Sequence, residues 1–204
     1  MVHVLPDIFR TYVKLSQLGV PTLGRFCVSP NSAIYDNPVQ GTLLMNILFL
    51  CTGNSCRSIL AEATFNHLVP TGWHAMSAGS HPSGHVHPRS LALLSSEGIK
   101  TEGYHSKSWN NLPHTPDIVV TVCANAAGEA CPLYLGSALR THWGVEDPAH
   151  ANGTDAEVDE AFMTAYSILR ARIEAFLALP IDLLQHHPDQ LKAELDRIGL
   201  LMPA

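Results

Sequence analysis

Residues 45–58 read Met45-Asn46-Ile47-Leu48-Phe49-Leu50-Cys51-Thr52-Gly53-Asn54-Ser55-Cys56-Arg57-Ser58. The first six form an apolar run that ends near Gly53, the pattern of a parallel strand buried on both faces. Ser58–Leu68 follows as a helix with Ile59, Ala63 and Leu68 turned inward. In an open α/β sheet, ligands bind beyond the carboxyl ends of the strands. The loop from Cys51 to Ser58 occupies that position. It also feeds a helix N-terminus, whose unpaired N–H groups and positive dipole end attract an oxyanion. Successive backbone N–H groups of Thr52, Gly53, Asn54, Ser55 and Cys56 can close an anion-binding concavity. Gly53 permits close backbone approach. Arg57 adds a planar two-pronged donor for a tetrahedral oxyanion. The same field is expected to lower the pKa of Cys51 and make it a thiolate nucleophile, with Ser58 hydrogen-bonded to it. The bland alternative is a small buried hydrophobe at Cys51 and a surface cation at Arg57. A Cys-x5-Arg-Ser run between a buried strand and a helix weighs against it.

Outward from this loop, strands and helices alternate. His74–Ala78 reads as a short strand, and Pro88–Glu97 as a helix ended by Gly98. Asp117–Val122 is the next apolar strand, and Leu139–Trp143 another. Thr154-Asp155-Ala156-Glu157 is a capping box that opens a long helix to about Leu179, with Val158, Phe162, Ala165, Leu169, Ile173 and Phe176 at helical spacing. Pro180 breaks it, and Asp189–Leu200 reads as one more short helix. This order predicts an α/β domain with a mostly parallel, doubly wound sheet. Residues 1–44, with Pro6, Pro21, Pro30 and Pro38, carry no strong pattern beyond a short helix over Ile8–Leu18. They are expected to be an appendage, disordered or packed as an arm, or an extension upstream of the true start. The expected division is an appendage at 1–44, a working domain at 45–180 and a helical extension at 181–204.

The 204 residues carry 12 Lys+Arg and 18 Asp+Glu, a net charge of −6. That balance argues against nucleic acid or an anionic membrane as the main partner. A 46% hydrophobic and 15% charged composition suits a buried core. No apolar run nears the roughly 18 residues of a membrane span, and no signal sequence opens the chain. Five cysteines (Cys27, Cys51, Cys56, Cys123 and Cys131) make a poor disulfide framework and point to a reducing, cytoplasmic setting.

Two further motifs lie at strand ends. Cys123-Ala-Asn-Ala-Ala-Gly-Glu-Ala-Cys131-Pro132 follows the strand Asp117–Val122. Zinc is one reading of this pair, but seven intervening residues differ from the short spacing of zinc sites. Inert buried thiols are another. His142-Trp143-Gly144-Val145-Glu146-Asp147-Pro148 follows the strand that begins at Leu139. Asp-Pro alone is a common turn. The histidines at 81, 85 and 87 lack a cysteine or carboxylate partner at ligand spacing and read as solvated, so no metal site is expected.

Leu50 through Ser58, with Ala61-Glu62-Ala63 behind it, resembles the phosphate loop of low-molecular-weight protein tyrosine phosphatases. More closely, it is similar to the arsenate reductases built on that fold. The resemblance spans about residues 45–180. It implies a four-stranded parallel sheet flanked by helices, Cys51 as nucleophile and Asp147 as general acid. Phosphatases of the fold place aromatic residues after Asp-Pro and Pro after Arg-Ser. Here Ala149-His150 and Ile59 stand at those places. Reducing an oxyanion needs two electrons, which two thiols can supply by forming a disulfide. The implied relay runs through a Cys51–Cys123 disulfide to a Cys123–Cys131 disulfide, recycled by thioredoxin, glutaredoxin or another thiol. Cys56 and Cys27 have no part in it. A small monomer without a bound cofactor is expected. Some members hold potassium through positions matching Asn54, Glu62 and Ser77; the fourth, acidic position is Ser108 here, which argues against it. Two other readings stay open: phosphate-monoester hydrolysis, and a module that binds arsenite or a soft metal through its thiols without turnover.

Overall fold

A computed structural model of the protein describes residues 44–69, 72–123 and 136–202. The expected appendage and its short helix fall outside the described residues, apart from Leu44. The apolar run at the start of the decisive stretch forms β1 (Met45–Cys51). After it come α1 (Arg57–Leu68), β2 (Trp73–Gly79), α2 (Pro88–Ser96), β3 (Ile118–Thr121), β4 (Leu139–His142) and α3 (Asp155–Leu177). Two short elements complete the chain, α4 (Ile181–Leu184) and α5 (Pro188–Ile198). The strands pair in the order β2-β1-β3-β4, all parallel. Within the described residues the expected strands and helices form, with ends shifted by a residue or two.

β1 lies between two parallel neighbours, and Ile47, Leu48, Phe49 and Leu50 are all buried. Alternation splits them between two cores. Ile47, Phe49 and Cys51 face the larger one, with Ile118, Val120 and the buried sides of all five helices. Leu48 and Leu50 face a smaller one with Met76, Ala78 and Val119, flanked by Trp109, Leu112 and Ala138. α1 is buried from Ser58 to Phe65 on every side, because it is packed between the sheet and α3. α3 begins at the expected capping box: the Thr154 side chain accepts from the Glu157 N–H, and Glu157 accepts from the Thr154 N–H at 2.7 Å. Its buried face carries Phe162, Ala165, Leu169, Ile173 and Phe176, spaced three or four residues apart.

The segment after Pro180 is part of the larger core. Ile181, Leu191, Leu195 and Ile198 are buried there, whereas Leu183 and Leu200 stay exposed. α5 packs along β4. The Trp143 indole N–H donates to the Leu195 carbonyl at 2.9 Å, and the Thr141 hydroxyl donates to Asp196 Oδ1 at 2.9 Å.

Candidate active site

Parallel strands carry their loops to one edge, so the ends of β1, β3 and β4 lie side by side. Leu50 is in register with Ala78 on one side and Thr121 on the other. The ladder continues past the strands, with Val122 N–H donating to the Leu50 carbonyl at 2.8 Å and Val145 N–H to the Val122 carbonyl at 3.1 Å. Cys51, Cys123 and the Asp147 loop are thereby brought to one place. Cys123 Sγ lies 3.6 Å from Thr52 Oγ1. Cys131 lies outside the described residues.

The shape of the loop follows from where its carbonyls go. Those of Thr52, Gly53 and Ser55 accept from the N–H groups of His81, Ser83 and His87 at 2.9, 2.9 and 3.0 Å. The loop's carbonyls are thus spent on its outer side by the 81–87 segment, which sequence alone left as a solvated loop. His87 also caps α2, accepting from the Arg89 N–H, and its ring stacks on Phe162 at 4.8 Å. The expected close approach at Gly53 is realised elsewhere. A Cβ at Gly53 would meet nothing within 4 Å, whereas one at Gly79 would strike the Thr52 carbonyl and sit 3.0 Å from Asn54 N.

Asn54 is fully buried and takes a left-handed backbone with φ 44. Its side-chain oxygen accepts from the Lys107 N–H at 2.7 Å, which fixes the amide's orientation. Its NH2 then donates to Ser58 Oγ at 2.9 Å and Ser77 Oγ at 2.8 Å. Ser58 accepts from Asn54 and so has its own proton to give to Cys51 Sγ, 2.9 Å away. Asn54 N–H donates to the same sulfur at 3.2 Å. Ser77 in turn donates to Glu62 at 2.6 Å. Lys107 Nζ sits 3.2 Å from Glu62 Oε2 and 3.4 Å from Ser77 Oγ. These residues do not fit an added potassium ion, because an ammonium of the chain already holds their charge. Sequence reading missed Lys107, whose spacing carries no signal.

Arg57 is the other pole. One guanidinium nitrogen donates to the Val145 carbonyl at 2.8 Å, and the other is ion-paired with Asp147. Its Nε is buried and has no hydrogen-bond partner among the described residues. A buried guanidinium N–H aimed at no acceptor is a donor open to an oxyanion. The second oxygen of Asp147 accepts from the Ala149 N–H at 3.2 Å.

The expected lowering of the Cys51 pKa is not met. Burial dominates and raises the thiol above its ordinary 9.0, against the hydrogen bonds from Ser58 and Asn54. The physical reason is that the sulfur is taken out of water, which disfavours its charged form, and Cys123 nearby adds a smaller push in the same direction. Cys56 is pushed up to about 11, by burial first and by the charge of Asp147 among lesser causes. Both thiols are free and buried. Among the described residues, no group of three or more His, Cys, Asp or Glu could hold a metal ion. No described helix is long and apolar enough to cross a membrane.

A thiol at the base of an oxyanion loop, an arginine at its rim and an aspartate on that arginine form a recognisable set. Residues 46–194 match the model of the low molecular weight phosphotyrosine protein phosphatase family. The chain belongs to this family. Within it, the chain is 38% identical over 131 residues to an arsenate reductase of Shouchella clausii, covering 64% of this chain and 93% of that one. It is 34% identical to an arsenate reductase of Bacillus subtilis over the same shares. A solved arsenate reductase in its phosphate-binding state superposes with TM-score 0.56 at 28% identity, covering 66% of this chain and 98% of that one. The YwlE arginine phosphatase of Geobacillus stearothermophilus shares the fold, with TM-score 0.56 at 21% identity over 70% of this chain and 97% of that one. The family's four-stranded parallel sheet with flanking helices is the sheet described above.

Proposed function

We propose that this family member reduces arsenate to arsenite through Cys51, Cys123 and Cys131 and is recycled by thioredoxin. The observation that carries this reading is Cys123 at the end of β3, its sulfur 3.6 Å from the hydroxyl of Thr52 in the oxyanion loop. A phosphoryl transfer needs one thiolate. A second thiol beside the loop is what a two-electron reduction adds. The arsenate reductases among the relatives, at 34–38% identity, support the same substrate.

Arsenate docks on the N–H groups from Thr52 to Ser58 and on Arg57, whose buried Nε has no hydrogen-bond partner among the described residues. The Cys51 thiolate attacks arsenic while Asp147 protonates the departing oxygen, which leaves as water. The Cys123 thiolate then attacks Cys51 Sγ. The sulfur–arsenic bond breaks, its electron pair stays on arsenic, and arsenic(V) leaves as arsenic(III). Cys131 attacks Cys123 Sγ and frees Cys51. A thioredoxin dithiol, or glutaredoxin or another thiol in its place, reduces the Cys123–Cys131 bond. Ser58 and Asn54 hold the Cys51 sulfur, and Cys56 packs beneath the loop. The reading places the protein in the cytoplasm as a monomer, with residues 1–44 as appendage, the domain at 45–180 and 181–204 as an extension that completes its core through Ile181, Leu191, Leu195 and Ile198.

The second reading is phosphate-monoester hydrolysis, which the family and the Cys51–Arg57–Asp147 set support. A pure arsenite-binding role leaves Asp147 without a job. The test is arsenate-dependent NADPH oxidation with thioredoxin and its reductase, run beside aryl phosphate hydrolysis. Arsenate-dependent oxidation that stops in Cys123→Ser and Cys131→Ser, with hydrolysis kept, bears out the relay. Full turnover by Cys131→Ser sinks it. Hydrolysis without any arsenate-dependent oxidation leaves a phosphatase.

A further inference from the structure

Arg172, in the second half of α3, is 3% exposed. Burial shifts its pKa downward, and among the described residues no carboxylate is ion-paired with it. Two of its donors go to backbone carbonyls instead: Nε to Leu201 at 3.1 Å and Nη1 to Gly144 at 3.1 Å. Burying a guanidinium without an ion pair is costly. The geometry shows what the arrangement holds together. Gly144 lies three residues before Asp147, and Leu201 lies just past α5.

The same short stretch is gripped at every step. Trp143 is pinned by its indole N–H to Leu195. The His142 carbonyl is pressed by Gly199, where a Cβ would lie 2.5 Å from it and 2.9 Å from Trp143 Cδ1. Arg172 holds the Gly144 carbonyl, and Arg57 holds the next one, at Val145. Consecutive carbonyls held by two arginines fix the peptide between them and set the direction in which the chain leaves for Asp147.

We propose that Arg172 is a positioning residue for Asp147, tying the acid loop to the C-terminal segment. It touches no reacting atom. Its effect is confined to proton delivery to the departing oxygen. The inference rests on the reading of Asp147 as general acid.

Leaving-group dependence separates this role from a structural one, because a poor leaving group needs the acid and a good one does not. The full chain and its Arg172→Met, Arg172→Lys and Asp147→Asn variants are assayed on phenyl phosphate and on 2,4-dinitrophenyl phosphate. Inhibition by inorganic phosphate reports the oxyanion loop, and thermal unfolding reports the fold. Arg172→Met is expected to lose about tenfold or more in kcat on the phenyl ester and under about threefold on the dinitrophenyl ester, with phosphate inhibition unchanged. Arg172→Lys falls between. Should Arg172→Met not fold, Gly199→Ala, which pushes α5 off the His142 carbonyl, carries the same bias at smaller size. Equal losses on both esters, lost phosphate inhibition, or no loss overturns the proposal. A bias in Asp147→Asn but not in the Arg172 variants sinks this inference alone. Its absence from Asp147→Asn removes the acid reading and the inference with it.

Discussion

The loops after β1 and after β4 face each other across the site and are held in opposite ways. The loop at 51–58 is fixed by its own residues and its nearest neighbours. Asn54 braces Ser58, Ser58 reaches Cys51, and the 81–87 segment takes up the outward carbonyls. The loop at 143–147 braces itself only through Asp147 and Ala149. It is held by Arg57 from α1, Arg172 from α3 and the Leu195 carbonyl of α5. The nucleophile's loop is braced from within and from the β2 side of the sheet, whereas the acid's loop is braced from α1, α3 and α5. Damage to distant parts should therefore reach the acid first.

Four measurements break or sharpen this contrast. Cys51→Ser removes the nucleophile and should cut arsenate reduction and ester hydrolysis together by about 10⁴-fold or more, with the unfolding midpoint unchanged. Residual reduction at a tenth of the original rate would mean that another thiol starts the reaction. Asp147→Asn should lower kcat on poor leaving groups by about 10²–10⁴-fold. It should also change the thiol. Burial holds Cys51 above 9.0, and Asp147 is ion-paired with the Arg57 at the rim of the loop. Removing that negative charge favours the thiolate, so the midpoint of Cys51 alkylation by iodoacetamide must move to lower pH. A midpoint that stays or rises would show that Arg57 does not act on the sulfur.

Leu195→Ala opens a hole under Trp143 and should cost about 2–5 kcal/mol in urea unfolding. Cys51 alkylation should be unaffected, because the bonds to its sulfur come from Ser58 and Asn54, which are braced by Ser77 and Lys107 rather than by α5. A changed alkylation rate would erase the distinction between the two loops. Thr154→Ala removes one side-chain cap from α3, a loss of about 1 kcal/mol that leaves both loops intact.

Much of this was legible in the residues. The strand–loop–helix around Cys51 announces itself through a buried apolar run, a glycine and a helix start within one short stretch. The capping box at Thr154 did the same for α3. What escaped was long-range. Lys107 meets Glu62, 45 residues away, and Arg172 meets Leu201, 29 residues away, with no local spacing to betray either pair. The raised Cys51 pKa escaped as well: a helix N-terminus and Arg57 predict a thiolate, while the burial that raises the thiol comes from packing that no local spacing reveals. His87 was misread because a histidine in a Pro/Gly-rich loop gives no hint that its ring will cap one helix and stack on another.

The ion pair between Arg57 and Asp147 also makes the site selective by valence. The pocket's arginine already has a resident anion, so an incoming ion must outbid a single negative charge that arrived with the fold. Nitrate or chloride would exchange one charge for one and gain little, and added salt would not change that exchange greatly. A doubly charged tetrahedral oxyanion gains from the surplus. It also displaces Asp147 from Arg57 as it lands, and a carboxylate left beside a dianion takes up a proton from water or from the incoming ion, so the acid forms only when there is something for it to act on.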